Sequence, residues 1–174
     1  MPGVKVRRGN PWTCLVLGAS CVLIPWPGSL RAQEVEVIGR PNGEDIVTVR
    51  PLVSSQSRQG VRQFVGISGA NSGARGLSMN RVVIPPGGSA EPHRHVGSES
   101  AIYLLQGTVE TRYGDRLERR VVNRAGDFLF IPPGVPHQPI NLSTTEPAIA
   151  IVARNDPEEQ EHVELLAPPP NLSR

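Results

Sequence analysis

Cysteine, tryptophan and methionine are scarce in this 174-residue chain, with two of each. Both cysteines, Cys14 and Cys21, and both tryptophans, Trp12 and Trp26, lie in the first 32 residues. Beyond them the chain offers no disulfide, no thiol nucleophile and no cysteine-based zinc site. Aromatic residues make up 4% of the sequence. After residue 32 they are Phe64, Tyr103, Tyr113, Phe128 and Phe130, so the core there must be largely aliphatic. A basic block is missing too. Residues 1–32 carry Lys5, Arg7, Arg8 and Arg31 and no acid, which leaves 14 arginines against 16 acidic residues in the remainder. A near-neutral domain of that kind gives no footprint for nucleic acid. The one long apolar stretch, Trp12 to Ile24, is too short for a comfortable membrane span, and Pro25 and Pro27 follow it at once.

Glycine and proline are plentiful, at 18 each. That suits many short strands joined by tight turns. Apolar or alternating runs recur at about ten-residue spacing. They cover 34–38, 46–49, 61–68, 77–84, 101–105, 108–113, 118–123, 128–131, 137–142 and 148–154. No helical pattern separates them, so the class is all-β, a sandwich or barrel. Residues 101–105 are apolar throughout, as in a strand packed on both faces. The glycines of 69–76 read as a flexible hairpin loop, because no Lys-Ser/Thr follows to make a phosphate cradle. Helix-start chemistry occurs once, at Asp156-Pro157-Glu158-Glu159, and predicts a short helix or an extended tail over 156–166.

The first 32 residues have the order of a secretory signal peptide. A basic start precedes an apolar run, and Ser29-Leu30-Arg31-Ala32 offers a cleavage point. The expected organisation is a signal peptide over 1–32, a β-barrel domain over 33–156 and a tail over 157–174. The expected location is secreted or periplasmic.

Three of the four histidines fall between Gly87 and Asn141. His93 and His95 are one residue apart, so on a strand they point the same way. His137 stands behind the turn Pro132-Pro133-Gly134. This arrangement builds a metal site from neighbouring strands rather than from one helix. The two segments resemble the two motifs of the cupins. Gly126, Pro132, Gly134, His137 and Asn141 fit the second motif at every position. Gly87, His93, His95, Glu99 and Gly107 fit the first, but seven residues rather than six separate Glu99 from Gly107. Counted forward from His95, the family's acidic ligand falls on Glu99; counted back from Gly107, it falls on Ser100. Both alternating faces of 101–105 are apolar, so the pattern does not choose between them.

The resemblance implies a double-stranded β-helix, or jelly-roll barrel. It implies a divalent metal ion held by His93, His95 and His137, with Glu99 as the fourth ligand. Mn or Fe is favoured, and Ni, Cu or Zn would also suit imidazole. It implies oxidative or lyase-type chemistry on a small organic acid or oxygenated ring compound, and pairing of the chain as a homodimer through its sheets. A non-catalytic cupin that binds metal or a small ligand is the alternative. Arg94 lies between two ligands and should face away from them. Asn141 shares the face of His137, and Gln138 does not. Tyr103 and Arg112 read as packing or surface residues, and His162 as solvated.

Overall fold

A computed structural model describes residues 35–158, 160 and 162–168. The expected signal peptide and the last six residues lie outside them. The regular secondary structure of the described residues is almost entirely strand. In order the strands are β1 (Val35–Ile38), β2 (Thr48–Pro51), β3 (Ser55–Gln56), β4 (Arg62–Ile67), β5 (Ser78–Ile84), β6 (His93–His95) and β7 (Ser100–Gln106). Then come β8 (Thr108–Tyr113), β9 (Arg119–Arg124), β10 (Phe128–Ile131), β11 (His137–Asn141), β12 (Ala148–Arg154) and β13 (Val163–Leu165).

Two sheets make the body, with the order β10-β7-β12-β5-β4-β3 in one and β13-β6-β11-β8-β9 in the other. The strands β1 and β2 form a separate two-stranded sheet. Every strand pair is antiparallel, so alternate residues of each strand face the space between the sheets. Ile84, Leu104 and Ala148 from the first sheet meet Val109 from the second, and Val61 and Ala90 complete the cluster. It contains no aromatic residue, in keeping with the largely aliphatic core expected. Burying each Val, Leu or Ile of this kind contributes about 1.5–3 kcal/mol.

The turns that join the strands explain several glycines. Gly107, between β7 and β8, has φ +92, and a Cβ there would come within 3.0 Å of the Ala148 Cα. Gly66 marks a register shift between β4 and β5.

Two expectations are corrected, and a third, left two-way, resolves. Of the short helix or extended tail expected over 156–166, the described residues hold no helix, and Val163–Leu165 is extended as β13. The edge of β6 supplies the reason. Val163 pairs with His95 and Leu165 with His93, and Val163 is buried. Unmet backbone groups beside a buried strand outweigh local helix propensity. The glycine-rich loop contains a one-turn helix, α1 (Gly69–Ser72), entered from Ser68 and closed by Gly73 in the left-handed region. Finally, β7 is packed on one face only. Leu104 is buried, whereas Leu105 is exposed, and Tyr103 lies against Phe128 with ring centroids 4.6 Å apart. Phe128 and Phe130 are 81% and 59% exposed on the same side. No helix among the described residues is long and apolar enough to cross a membrane.

Candidate metal centre

Strand β6 sends His93 and His95 to the same side, with ring centroids 5.1 Å apart. His137 opens β11 as the register partner of His93. Its ring centroid lies 4.2 Å from that of His93 and 5.6 Å from that of His95. One ring nitrogen from each histidine lies within 4.8 Å of the others, and all three side chains are buried.

The backbone between the motifs sets this convergence. The Gly134 N–H donates to the His95 carbonyl at 2.9 Å, which ties the Pro-Pro-Gly turn to the strand bearing the first two histidines. Gly134 makes that turn at φ +71, where a side chain would add strain. The Ala90 N–H donates to Pro139, and the Asn141 N–H to Gly88. The Asn141 side-chain amide donates to the carbonyls of Ile84, Pro85 and Glu146. It therefore pins two turns rather than reaching for a ligand.

Hydrogen bonding sets the state of each ring. His93 Nδ1 lies 2.7 Å from the Glu91 carbonyl, and His137 Nδ1 lies 2.9 Å from the Val135 carbonyl. A carbonyl can only accept, so Nδ1 carries the proton and Nε2 keeps a lone pair. Both ring nitrogens of His95 are buried with no hydrogen-bond partner. An unsatisfied buried polar group costs about 1–3 kcal/mol, and a metal ion would relieve one of the two nitrogens. The residues present therefore fit an ion.

Burial also keeps the rings neutral. Loss of solvent, then the neighbouring His137, pushes the His93 pKa down to about 3. Loss of solvent pushes His137 down to about 4, with Arg154 adding to the shift against a carbonyl that opposes it. His95 is lowered as well, first by burial and then by Arg154. Neutral imidazole is the form that binds metals.

The fourth expected ligand is not brought to this cluster. The Glu99 side chain is exposed, and its backbone N–H donates to Asn155. Ser100 is buried instead, and its register with β10 continues without a break to Tyr103. That parity sends Ile102 and Leu104 inward. Arg94 faces out, in an ion pair with Glu164 at 2.6 Å. Gln138 donates to the Ala90 carbonyl. Arg112 pairs with Glu110 at 2.8 Å. His162 is exposed, and its Nδ1 lies 2.7 Å from Asp156.

Two residues not anticipated from the sequence share a cavity with His93 and His137. These are Gln59 and Arg154, set among aliphatic walls that include Val82, Ile84, Ile102 and Val152. Among the described residues lining this cavity there is no carboxylate. A signal for Arg154 was available. Ala148, Ala150 and Val152 alternate inward along β12, and the same parity reaches Arg154. Gln59 sits in a loop, where no period announces it.

The cupin-domain family model matches residues 80–154, the span that carries the triad and most of both sheets. Residues 80–154 are a cupin domain. Germin-like protein 3-1 of Oryza sativa subsp. japonica is 34% identical over 91 residues, covering 51% of this chain and 40% of that protein. Oxalate oxidase GF-2.8 of Triticum aestivum is 34% identical over 82 residues, covering 44% of this chain and 36% of that protein. The chain thus spans less than half the length of these curated relatives. Among solved structures, Lactobacillus farciminis oxalate decarboxylase in its formate complex is similar at TM-score 0.57 and 25% identity. The match covers 66% of this chain and 33% of the decarboxylase. An oxalate oxidase bound to the substrate analogue glycolate is similar at TM-score 0.54 and 25% identity, with 63% and 57% covered. The cupin domain thus carries a buried metal-binding triad of histidines.

Proposed function

We propose that this cupin domain is a metal-dependent enzyme that acts on a small organic acid by oxidative or lyase-type chemistry. The observation that carries the reading is the His93, His95 and His137 triad, buried beside an aliphatic cavity, with both nitrogens of one ring unpartnered. Similarity to oxalate oxidases and an oxalate decarboxylase supports the substrate class. The same similarity supports closure of the two sheets into the double-stranded jelly-roll barrel. His93 and His137 would offer Nε2 to a divalent ion, and His95 either ring nitrogen. Mn or Fe is the first choice, with Ni, Cu and Zn accessible to a set of nitrogen donors. When bound, such an ion supplies Lewis-acid polarisation or redox capacity to substrate oxygens. The chain's own contribution is to fix the rings through Glu91 and Val135, keep them unprotonated and exclude water with aliphatic walls.

One observation favours the second reading, a non-catalytic binding cupin: among the described residues no carboxylate lines the cavity to move a proton. Turnover separates the two. Mn- or Fe-loaded protein is expected to consume oxalate, glycolate or a related small acid, with formate, carbon dioxide or peroxide as the product assayed. Stoichiometric ion with no turnover across the panel would leave the binding reading standing.

We propose further that the chain is exported and pairs as a homodimer. The basic start and apolar run support export, and the exposed Phe128, Phe130 and Leu105 supply an apolar outer face for a second copy. Mass spectrometry of native protein should give a denatured mass starting near Gln33 and a native mass of twice that. Full-length or monomeric protein would refute the respective half.

A further inference from the structure

We propose that the space between the sheets holds a second ligand site, away from the histidines, for a short uncharged aliphatic alcohol. The inference does not rest on the metal-centre reading. Ile84, Leu104, Val109, Ala148 and Ala150 line a cavity of about 80 Å³, and none of the three histidines lines it. Strand direction separates the two places. Along β12, Arg154 stands at the histidine cavity, and Ala148 and Ala150 stand at this one. Along β8, Val109 faces this cavity, and Tyr113 at the opposite end is the register partner of His137. A middle wall that includes Ile102, Thr111 and Val152 is common to both cavities.

Composition accounts for the space. Few rings are available to fill it, and Phe128 and Phe130 are exposed on the outer face. Among the described residues no aromatic side chain lines the cavity, and β12 offers it only alanines at 148 and 150. Native interiors leave few voids larger than a water molecule. A cavity of this size has room for roughly five to eight waters. An alkyl body of about five carbons carrying one oxygen matches that room and those walls.

The polar groups on the lining decide the rest of the ligand. Asn123, the register partner of Val109, lines the cavity, and its Oδ1 is buried without a hydrogen-bond partner. A carbonyl oxygen only accepts, so a ligand O–H would satisfy it. Asp127 is exposed and also lines the cavity, which therefore reaches the surface where β9 turns into β10. Its carboxylate accepts from the Arg124 N–H at 2.7 Å and repels an anion at this rim. A charge of either sign would lose its solvation among the apolar walls. A hydroxyl for Asn123 and an apolar body for the walls describe a small neutral alcohol, chemically opposite to the acid proposed for the metal centre.

Nuclear magnetic resonance of the methyl-labelled full chain, with 3-methylbutanol as the probe, tests this with and without Mn²⁺. Saturable shifts are expected at Leu104 and Val109, which line this cavity alone, and not at Val61 and Ile131, which line the histidine cavity alone. The affinity should be the same in both metal states. The matching acid, 3-methylbutanoate, and ethyl propyl ether, which has no donor, should each bind roughly tenfold more weakly. Ala150→Leu fills the cavity and should abolish binding while keeping or raising the thermal midpoint. Asn123→Leu removes the acceptor, so the alcohol should lose its advantage over the ether; this variant decides the matter if Ala150→Leu does not fold. Absence of saturable shifts in wild type, shifts centred on Val61 and Ile131, or binding that needs Mn²⁺ would each overturn the proposal. So would equal binding of the acid, unchanged binding in folded Ala150→Leu, or an alcohol preference that persists in Asn123→Leu.

Discussion

Replacing His93, His95 or His137 by alanine, one at a time, is expected to abolish tight metal binding, whereas His162→Ala and Glu99→Gln should leave metal content unchanged. Each of the first three supplies one nitrogen to a cluster spanning 4.8 Å, and no described carboxylate is placed to take over. Outer-shell partners typically cost 10–100-fold in affinity when removed, so loss of a direct ligand should exceed roughly 100-fold. Glu99 is exposed, and His162 is exposed and engaged with Asp156. The effect on folding should run differently. His95 buries two unpartnered nitrogens. His95→Leu should therefore fold as well as metal-free wild type, or better, while losing the ion. Metal content by mass spectrometry, paired with urea melts of the metal-free proteins, reads both effects. Stoichiometric ion in all three alanine variants would end the site assignment. A sharp loss in Glu99→Gln would show that the acid turns inward to complete the centre.

Metal-free protein should lose stability steeply as pH falls below about 6.5, the ordinary histidine value. In the unfolded chain each histidine gains its proton near that pH. In the native protein His93 waits until about 3 and His137 until about 4, and His95 is lowered too. Between those limits the unfolded state binds more protons, so stability rises with pH and drains away as pH falls. Each ring contributes about 1.4 kcal/mol per pH unit, and three together would remove about 4 kcal/mol per unit from a total that is commonly 5–15 kcal/mol. Affinity for the ion follows the native values. It should stay nearly flat from pH 7 to 5 and fall closer to 4, rather than falling near 6.5 as for solvated imidazole. Bound ion, which selects the native state, should also blunt the acid instability. Urea midpoints across pH with and without Mn²⁺ measure all of this. Metal-free stability that is level between pH 7 and 5 would contradict the burial argument.

The two-residue period of a strand by itself put His93 and His95 on one face, and the resemblance to the cupin motifs added His137; only the pairing of β11 with β6 brings the three together. Spacing determined the all-β class, since strand-length runs broken by Gly and Pro leave no room for a packed helix. The outward face of Arg94 and the buried position of Asn141 followed from the same period. Local pattern could not place Glu99, because both faces of residues 101–105 are apolar and only pairing with β10 and β12 sends Ser100 inward. Nor could it foresee β13. The acids and proline at 156–159 favour a helix locally, while the open edge of β6, far away in sequence, needs backbone partners. The open outer face of β7 depends on which sides of a sheet are covered, a property no single strand encodes. Arg154 lay within reach of parity alone. Its meaning came only from tertiary structure, which sets a cation from the end of β12 beside Ser100 and in the cavity of His93 and His137.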